Sequence, residues 1–188
     1  MDVIDSFTTT LKLENEIVKL RAIELSDAEI IYKWENDPSV WHVSNTIVPF
    51  SRYIINKYVE NSHLDIYETK QLRLMIDTKN QDENFTVGTI DMFDFDPYHL
   101  RAGIGVLIGE NENKRKGFAS AALGIFIQYA FNHLGLHQLY CNIAANNEHS
   151  LRLFKRHKFE IIGEKKEWIK THEGFLNEYI LQLINEYE

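Results

Sequence analysis

The spacing of apolar and polar residues near the start of the chain predicts two short strands followed by two helices. Alternating runs at 11–14 and 17–23 are typical of strands. The sequence Ser-Asp-Ala-Glu at 26–29 has the form of a capping box, and the apolar spacing after it predicts an amphipathic helix that ends near Pro38. A second helical pattern follows Ser51.

The rest of the chain alternates between strand and helix patterns and predicts an α+β fold. We expect a mostly antiparallel, twisted sheet with helices on both faces and one βαβ crossover, whose two strands are parallel and whose connection is right-handed. The predicted elements are strands at 72–77, 85–93 and 102–108, a helix at 118–133, a strand at 137–144, a helix at 148–157, and strands at 160–170 and 175–183.

Length and composition are those of an ordinary globular chain. With 188 residues, of which 44% are hydrophobic and 26% charged, we expect a single domain over 1–188, with 1–10 as a loose extension. No apolar run is long enough to cross a bilayer and no signal-peptide pattern is seen, so a cytoplasmic protein without a membrane partner is expected. The single cysteine, Cys141, is expected to be a small core residue rather than a nucleophile.

The charge balance argues against a nucleic-acid partner. The formal net charge is −8, and an acidic protein repels a phosphate backbone. The basic cluster Lys114–Lys116 therefore indicates a local positive site for one anionic ligand.

The segment 106–123 has the pattern of an anion-binding loop. A short apolar strand leads through a polar loop to Gly117, which stands at the start of a helix rich in alanine and leucine. A helix N-terminus presents unpaired N–H groups and the positive end of the helix dipole, and a glycine lets an anion come close to the backbone. A plain strand-to-helix connection would show the same pattern, so a second motif is needed to assign a ligand-binding role to this segment.

A second motif lies at 146–159, directly after the predicted parallel strand. Asn146 or Asn147 is expected to cap the helix, and Ser150 and Phe154 share one of its faces. A capped amphipathic helix that packs on the sheet would explain this pattern without any function.

Together, and in this order across a parallel crossover, the two motifs resemble the GNAT superfamily of N-acetyltransferases. Lys114–Ala119 is similar to its acetyl-CoA pyrophosphate loop, Q/R-x-x-G-x-G/A, and Asn147–Phe159 to its element N-x-x-S-x-x-L-Y-x-K-x-G-F. The opening 18–38 is similar to both the spermidine and the ribosomal-protein N-terminal acetyltransferase branches. The resemblance extends over 18–183.

The resemblance implies acetyl-CoA as co-substrate, no metal, and direct attack of a primary amine on the thioester. The pantetheine arm would lie along strand 106–108, and a backbone N–H near Leu107 or Ile108 would polarise the carbonyl. Asn147 would bond the arm, and Arg156 would meet the phosphates. The implied cofactor-binding residues are Val106, Leu107, Ile108, Lys114, Arg115, Lys116, Gly117, Phe118, Ala119, Ser120, Asn147 and Arg156.

The chain departs from the family pattern at the proton-transfer positions. Phe154 stands where the family often has a tyrosine that protonates the departing thiolate. Ser150 is then the first candidate for this proton donor, and Tyr140 the second. Asp91 is a candidate base, alongside Asp94 and Asp96 on the same predicted strand and turn.

Two further departures concern Gly103 and Lys158. Gly103 occupies a position that is commonly acidic in the spermidine branch, and Lys158 a position that is commonly glycine. The missing carboxylate favours a peptide N-terminus, whose amino group has a pKa of about 8 and is partly neutral at pH 7.

Three functions remain open from the sequence. The negative charge of the chain favours a small polyamine or diamine, ranked slightly ahead of a protein N-terminal amine. A non-catalytic acyl-CoA-binding module is the third, because Phe154 lacks an acidic proton. Assembly into a homo-oligomer is left open.

Overall fold

The computed structural model describes residues 12–44, 46–79 and 85–186, so the extension expected at 1–10 lies outside the described residues. No helix within these ranges is long and apolar enough to span a membrane. The elements are β1 (Val18–Arg21), α1 (Ala28–Glu35), α2 (Pro38–Ser44), α3 (Arg52–Glu60), α4 (Ile66–Thr69), β2 (Leu72–Thr78), β3 (Thr86–Asp96), β4 (Arg101–Ile108), α5 (Phe118–Asn132), β5 (Gln138–Ala144), α6 (Glu148–Arg156), β6 (Glu160–Thr171) and β7 (Gly174–Ile184).

The seven strands form one sheet in the order β1-β2-β3-β4-β5-β7-β6. All neighbours are antiparallel except β4 and β5, which are parallel and joined through α5. The predicted α+β fold with one parallel crossover is therefore confirmed. The parallel pairing is short: it joins Arg101–Gly103 to Gln138–Tyr140. Beyond these residues β4 and β5 separate and leave a gap in the sheet.

Helices cover both faces of the sheet. Since successive residues of a strand point to opposite sides, each strand contributes side chains to a core on either face. On one face, Ile76 and Ile104 belong to the larger core, which also contains Phe126 of α5. On the other face, Met75 packs in a smaller core with Trp34 of α1. The run at 74–76 is buried throughout for this reason.

Helix α5 is the helix predicted at 118–133, and several of its apolar residues are buried. It begins at Gly117, whose φ of 89° is in the left-handed region that glycine adopts without strain. Leu123 and Phe126 have no solvent exposure. After the helix, Gly135 has a φ of 64° and reverses the chain into β5.

The start of α1 differs from the prediction. A short 3₁₀ turn, Leu25–Asp27, precedes the helix, and the capping box consists of Glu24 and Asp27 rather than Ser26 and Glu29. In it, the N–H of Glu24 donates to Oδ2 of Asp27 at 2.8 Å. Arg21 donates to the same carboxylate at 2.7 Å. Burial would raise the pKa of Asp27, but the hydrogen bonds from Arg21 and Glu24 outweigh it and lower that pKa.

The strand predicted at 11–14 is also wrong in extent. Within the described residues this segment contributes only an isolated bridge between Glu14 and Lys19. The side chain of Asn15 accepts the N–H groups of Ile17 and Val18 at 2.8 and 2.9 Å, which turns the chain into β1.

Two short helices were not predicted. Helix α2 begins with Pro38, a residue suited to the first helical position, and Asp37 accepts the N–H of Ser39 at 2.8 Å. Helix α4 has four residues and is capped by Asp65, which accepts the N–H of Tyr67 at 2.7 Å. Both are too short for a helical hydrophobic period to be recognised.

Candidate active site

The gap between β4 and β5 opens into a cavity of about 630 Å³ on the face that carries α1 and α3. Its walls include Gly105, Val106 and Leu107 of β4, and Asn142 and Ala144 of β5. The sheet thus provides a slot with strand backbone on both sides, which can take an extended ligand.

The backbone of β4 has an open edge along this slot. Gly109 donates its N–H to the carbonyl of Val87 at 3.0 Å, and the pairing of β4 with β3 is regular from there to Gly103. Since hydrogen-bonding direction alternates along a strand, the N–H of Leu107 points to β3, whereas those of Val106 and Ile108 point into the gap. Of the two groups predicted to polarise the carbonyl, Ile108 is therefore the one on the open edge.

The predicted pyrophosphate loop leads from β4 to the start of α5. Arg115 and Gly117 both have left-handed backbone, with φ of 65° and 89°. Among the described residues no side chain caps the helix, so the N–H groups of its first turn are open to a ligand. A Cβ at Gly117 would have no neighbour within 4 Å, so the space in front of the helix is free.

The basic residues of this loop are exposed. Lys114 donates to Oδ1 of Asn111 at 2.8 Å, within the loop itself, and Arg115 and Lys116 also lie at the surface. The loop therefore combines open backbone donors with a local positive charge, as an anionic group requires.

The end of α6 lies beside the start of α5. Oγ of Ser120 and Nε2 of His157 are 2.9 Å apart, so the side chain of Ser120 is occupied and its backbone N–H is the group left for a ligand. Burial, and next the nearby charge of Arg156, lower the pKa of His157. Arg156 directly precedes His157, which places its backbone next to the predicted phosphate site.

Across the gap, α6 carries the second motif. Oδ1 of Asn147 accepts the N–H of Ser150 at 3.1 Å, so Asn147 rather than Asn146 caps this helix and keeps its amide N–H₂ for a ligand. Ser150 lines the cavity. The ring of Phe154 is buried and packs edge-to-face on Phe159, with 5.0 Å between ring centroids.

Tyr140 lies in the paired part of β5, and it is not among the residues that line the cavity. Its hydroxyl donates to Oδ2 of Asp94 at 3.0 Å. Burial, followed by the bond to Asp94, raises the pKa of Tyr140 to about 12. The structure thus brings Ser150 into the cavity and leaves Tyr140 outside it.

Asp91 lies on the cavity wall within an ion-pair cluster that the sequence did not reveal. Nε of Arg73 donates to Asp91, and Nη1 of Arg73 donates to Glu35 at 2.6 Å. Thr89 contacts the other oxygen of Asp91 at 3.3 Å. The guanidinium also lies over the ring of Tyr58, 5.4 Å from its centroid.

Charge in this cluster is unbalanced. Burial works to lower the pKa of Arg73, but the attraction of Asp91 and Glu35 prevails and raises it. Two carboxylates share one guanidinium, so the cluster carries a net charge of about −1 when all three groups are ionised. In the sequence, the feature that could have indicated this cluster is Arg73, a charged residue inside the apolar run 72–76.

The absence of a carboxylate at Gly103 has a structural cause. A Cβ at this position would overlap the ring of Phe93, which pairs with Gly103 across the strands. Phe93 in turn packs edge-to-face on Tyr140, with 6.0 Å between centroids. An aromatic ring fills the space that an acidic side chain would need.

Comparisons with known proteins agree with this geometry. The family model for the acetyltransferase (GNAT) domain matches residues 18–160. This chain is 29% identical to the uncharacterised N-acetyltransferase p20 of Bacillus licheniformis, and the match covers 92% of this chain and 95% of that protein. It is 24% identical to the spermidine N(1)-acetyltransferase of Escherichia coli K12, covering 85% of this chain and 79% of that protein.

Solved structures share the fold. The spermidine N-acetyltransferase of Vibrio cholerae in complex with CoA and spermine superposes with a TM-score of 0.78 at 20% identity. The superposition covers 90% of this chain and 96% of that one.

Proposed function

Because the chain belongs to the GNAT acetyltransferase family, we propose that it acetylates a primary amine, with small polyamines and diamines favoured over protein N-termini. Family membership confirms the enzyme class and the acetyl-CoA co-substrate that the two motifs predicted. The observation that carries the proposal is the gap between β4 and β5, where an open strand edge faces a capped helix and an acidic wall.

The cofactor is placed by backbone groups in this proposal. The N–H groups of the first turn of α5, from Phe118 to Ser120, bind the pyrophosphate, with Lys114, Arg115 and Lys116 adding positive charge. The pantetheine arm follows the open edge at Val106 and Ile108 as an added strand, and the amide of Asn147 donates to it from the opposite side.

The chemistry then follows from the contents of the gap. The amine nitrogen attacks the thioester carbonyl, the N–H of Ile108 stabilises the developing oxyanion, and the C–S bond breaks. Ser150 lines the cavity, passes its hydroxyl proton to the thiolate and takes a replacement proton from water. Asp91 accepts the proton of the amine through water, since Arg73 and Thr89 already bond its two oxygens.

Charge supports a cationic amine as substrate. The chain has a net charge of −8, and the cluster of Glu35, Arg73 and Asp91 places an excess negative charge in the cavity wall. Relatives named spermidine N-acetyltransferases match most of the chain. A protein N-terminus is the second candidate, favoured by Gly103, which removes a carboxylate found in the spermidine branch.

A competition assay tests the proposal. Spermidine, putrescine and a short unblocked peptide are offered together with acetyl-CoA, and the products are identified by mass. We expect acetylated polyamine first, and a KM for polyamine that rises when salt is raised from about 50 to about 300 mM, because screening weakens attraction between exposed charges. Acetylation of the peptide alone, insensitive to salt, would place the chain with the N-terminal enzymes.

Assembly and location form a second part of the proposal. One structure of the Vibrio cholerae spermidine N-acetyltransferase is dodecameric. We propose that this chain, of 22.1 kDa, also assembles into a homo-oligomer and acts in the cytoplasm. Light scattering after size-exclusion chromatography measures the assembled mass, and a mass equal to one chain would contradict the first statement.

A further inference from the structure

Glu178 is the most buried carboxylate in the cavity wall. Its side chain is 7% exposed, against 16% for Glu35 and 24% for Asp91, which line the same cavity. It lies on β7, paired with Ala144 at the end of β5 and with Lys165 on β6. The mechanism above does not use this residue.

One of its two oxygens is held and the other is open. Nζ of Lys165 donates to Oε2 of Glu178 at 2.7 Å and to Oδ1 of Asn142 at 3.2 Å. The same ammonium lies 4.9 Å from the ring centroid of Trp168. Across the described part of the chain, Oε1 of Glu178 has no hydrogen-bond partner. Lys165 therefore fixes the carboxylate while leaving an acceptor for a ligand.

The position of Glu178 complements that of Asp91. Asp91 pairs with Gly105 on the β4 side of the gap, and Glu178 pairs with Ala144 on the β5 side. Both side chains line the cavity. An amine that enters the cavity to reach the open edge of β4 thus meets a carboxylate on each wall.

A purely structural role explains the arrangement less well. Moving a carboxylate out of water costs free energy that a single ion pair repays only in part. Lys165 is 28% exposed and has Asn142 and solvent as other partners, so it does not require a buried acid. A role in ligand binding would account for the free-energy cost of burying the carboxylate of Glu178.

We infer that Glu178 binds the amine substrate, with Oε1 accepting a hydrogen bond from a substrate N–H, and that it helps to select cationic amines. This inference rests on the proposed function. A hydrogen bond between a carboxylate and an ammonium group is charge-assisted and stronger than a neutral one. Its loss is expected to weaken amine binding about tenfold or more.

Three variants test the inference by calorimetry, with spermidine titrated into the CoA-saturated protein. Glu178→Gln keeps the shape and loses the charge, and we expect spermidine affinity to fall about tenfold. Lys165→Met removes the competing cation and leaves the carboxylate, so spermidine should bind as tightly as to wild type or more tightly. Glu164→Gln, on the same hairpin but outside the cavity lining, is the control and should change nothing.

The outcomes separate the possible roles. If Glu178 serves only as the structural partner of Lys165, Glu178→Gln and Lys165→Met should lower the melting temperature equally and lower spermidine affinity equally. That result would overturn the inference. Acetyl-CoA affinity should stay within about twofold of wild type in every variant, and a parallel loss of it would also contradict a role in amine binding. The Lys165→Met result remains decisive if Glu178→Gln folds poorly.

The same titration distinguishes this inference from the proposed function. Wild-type protein that binds spermidine, together with a Glu178→Gln variant that binds it equally well, would contradict only the role of Glu178. Wild-type protein that binds no spermidine in the presence of CoA would contradict the proposed substrate and the inference with it.

Discussion

The two sides of the gap are built in different ways. The cofactor side uses mainly backbone groups from one contiguous segment, the end of β4 and the start of α5, and its central residue is Gly117, which has no side chain. The amine side uses the charged side chains of Glu35, Arg73 and Asp91. In the sequence, Arg73 is 38 positions from Glu35 and 18 positions from Asp91. Backbone recognition suits a ligand that is constant, whereas side chains can be exchanged to change the substrate.

The largest effect is expected on the cofactor side. Gly117→Glu places a bulky negative group in the free space before α5 and should weaken acetyl-CoA binding at least about 100-fold, since the anion loses its site and meets a like charge. Calorimetry measures the affinity.

Gly135→Glu is the matched control for this change. Gly135 also has a positive φ and free space around its missing Cβ, but it lies beyond the opposite end of α5. Its backbone strain is similar, so acetyl-CoA affinity should remain near that of wild type. Equal losses in both variants would show that strain rather than the anion site is responsible.

On the amine side, breaking the ion-pair cluster should cost stability. Arg73→Met leaves Glu35 and Asp91 partly buried without their cation, and we expect the free energy of unfolding to fall by about 3 kcal/mol. Arg152→Met, which removes an exposed pair with Glu148, should cost less than about 1 kcal/mol. Denaturant titration measures both, and equal losses would refute the special role of the buried cluster.

A smaller effect is expected where the two sides meet. Ser150→Ala should lower kcat about tenfold or more with little change in acetyl-CoA affinity, as expected when a proton donor is lost. Phe154→Tyr should raise kcat, because it restores the hydroxyl that is usual in the family. A silent Ser150→Ala would assign protonation of the thiolate to Tyr140 or to solvent.

The smallest effect concerns the turn after α6. Lys158 has a φ of 66°, which costs about 1–2 kcal/mol for a residue with a Cβ, and this is the position where the family commonly has glycine. Lys158→Gly should therefore stabilise the fold by up to about 1 kcal/mol, after the larger chain entropy of glycine is subtracted. Lys155→Gly, inside α6, should destabilise by about 1 kcal/mol. Thermal unfolding of both variants checks the difference in sign.

The cofactor side could be predicted from the sequence to a greater extent than the amine side. The long helix predicted at 118–133 is observed at Phe118–Asn132, and the final hairpin is observed where it was predicted, because both have regular periods. The glycine and the loop of the cofactor side are contiguous, so their pattern is visible in one segment.

The amine side could not be predicted because it depends on strand register. Arg73 meets Asp91 only because β2 and β3 pair at that position, and Glu178 reaches the gap only through its pairing with Ala144. A shift of one residue would turn each side chain to the other face. Asp91 was named as a candidate from its place on the strand, whereas Arg73, Glu35 and Glu178 were not.

Transfer of the acetyl group by this chain is measured as thiol release from acetyl-CoA with spermidine as acceptor. We expect CoA thiol release that depends on the amine, saturates with its concentration and disappears in the Gly117→Glu variant. Tight acetyl-CoA binding with no thiol release above the amine-free blank, for spermidine and for every other amine and peptide offered, would contradict it. The chain would then be a non-catalytic acyl-CoA-binding module.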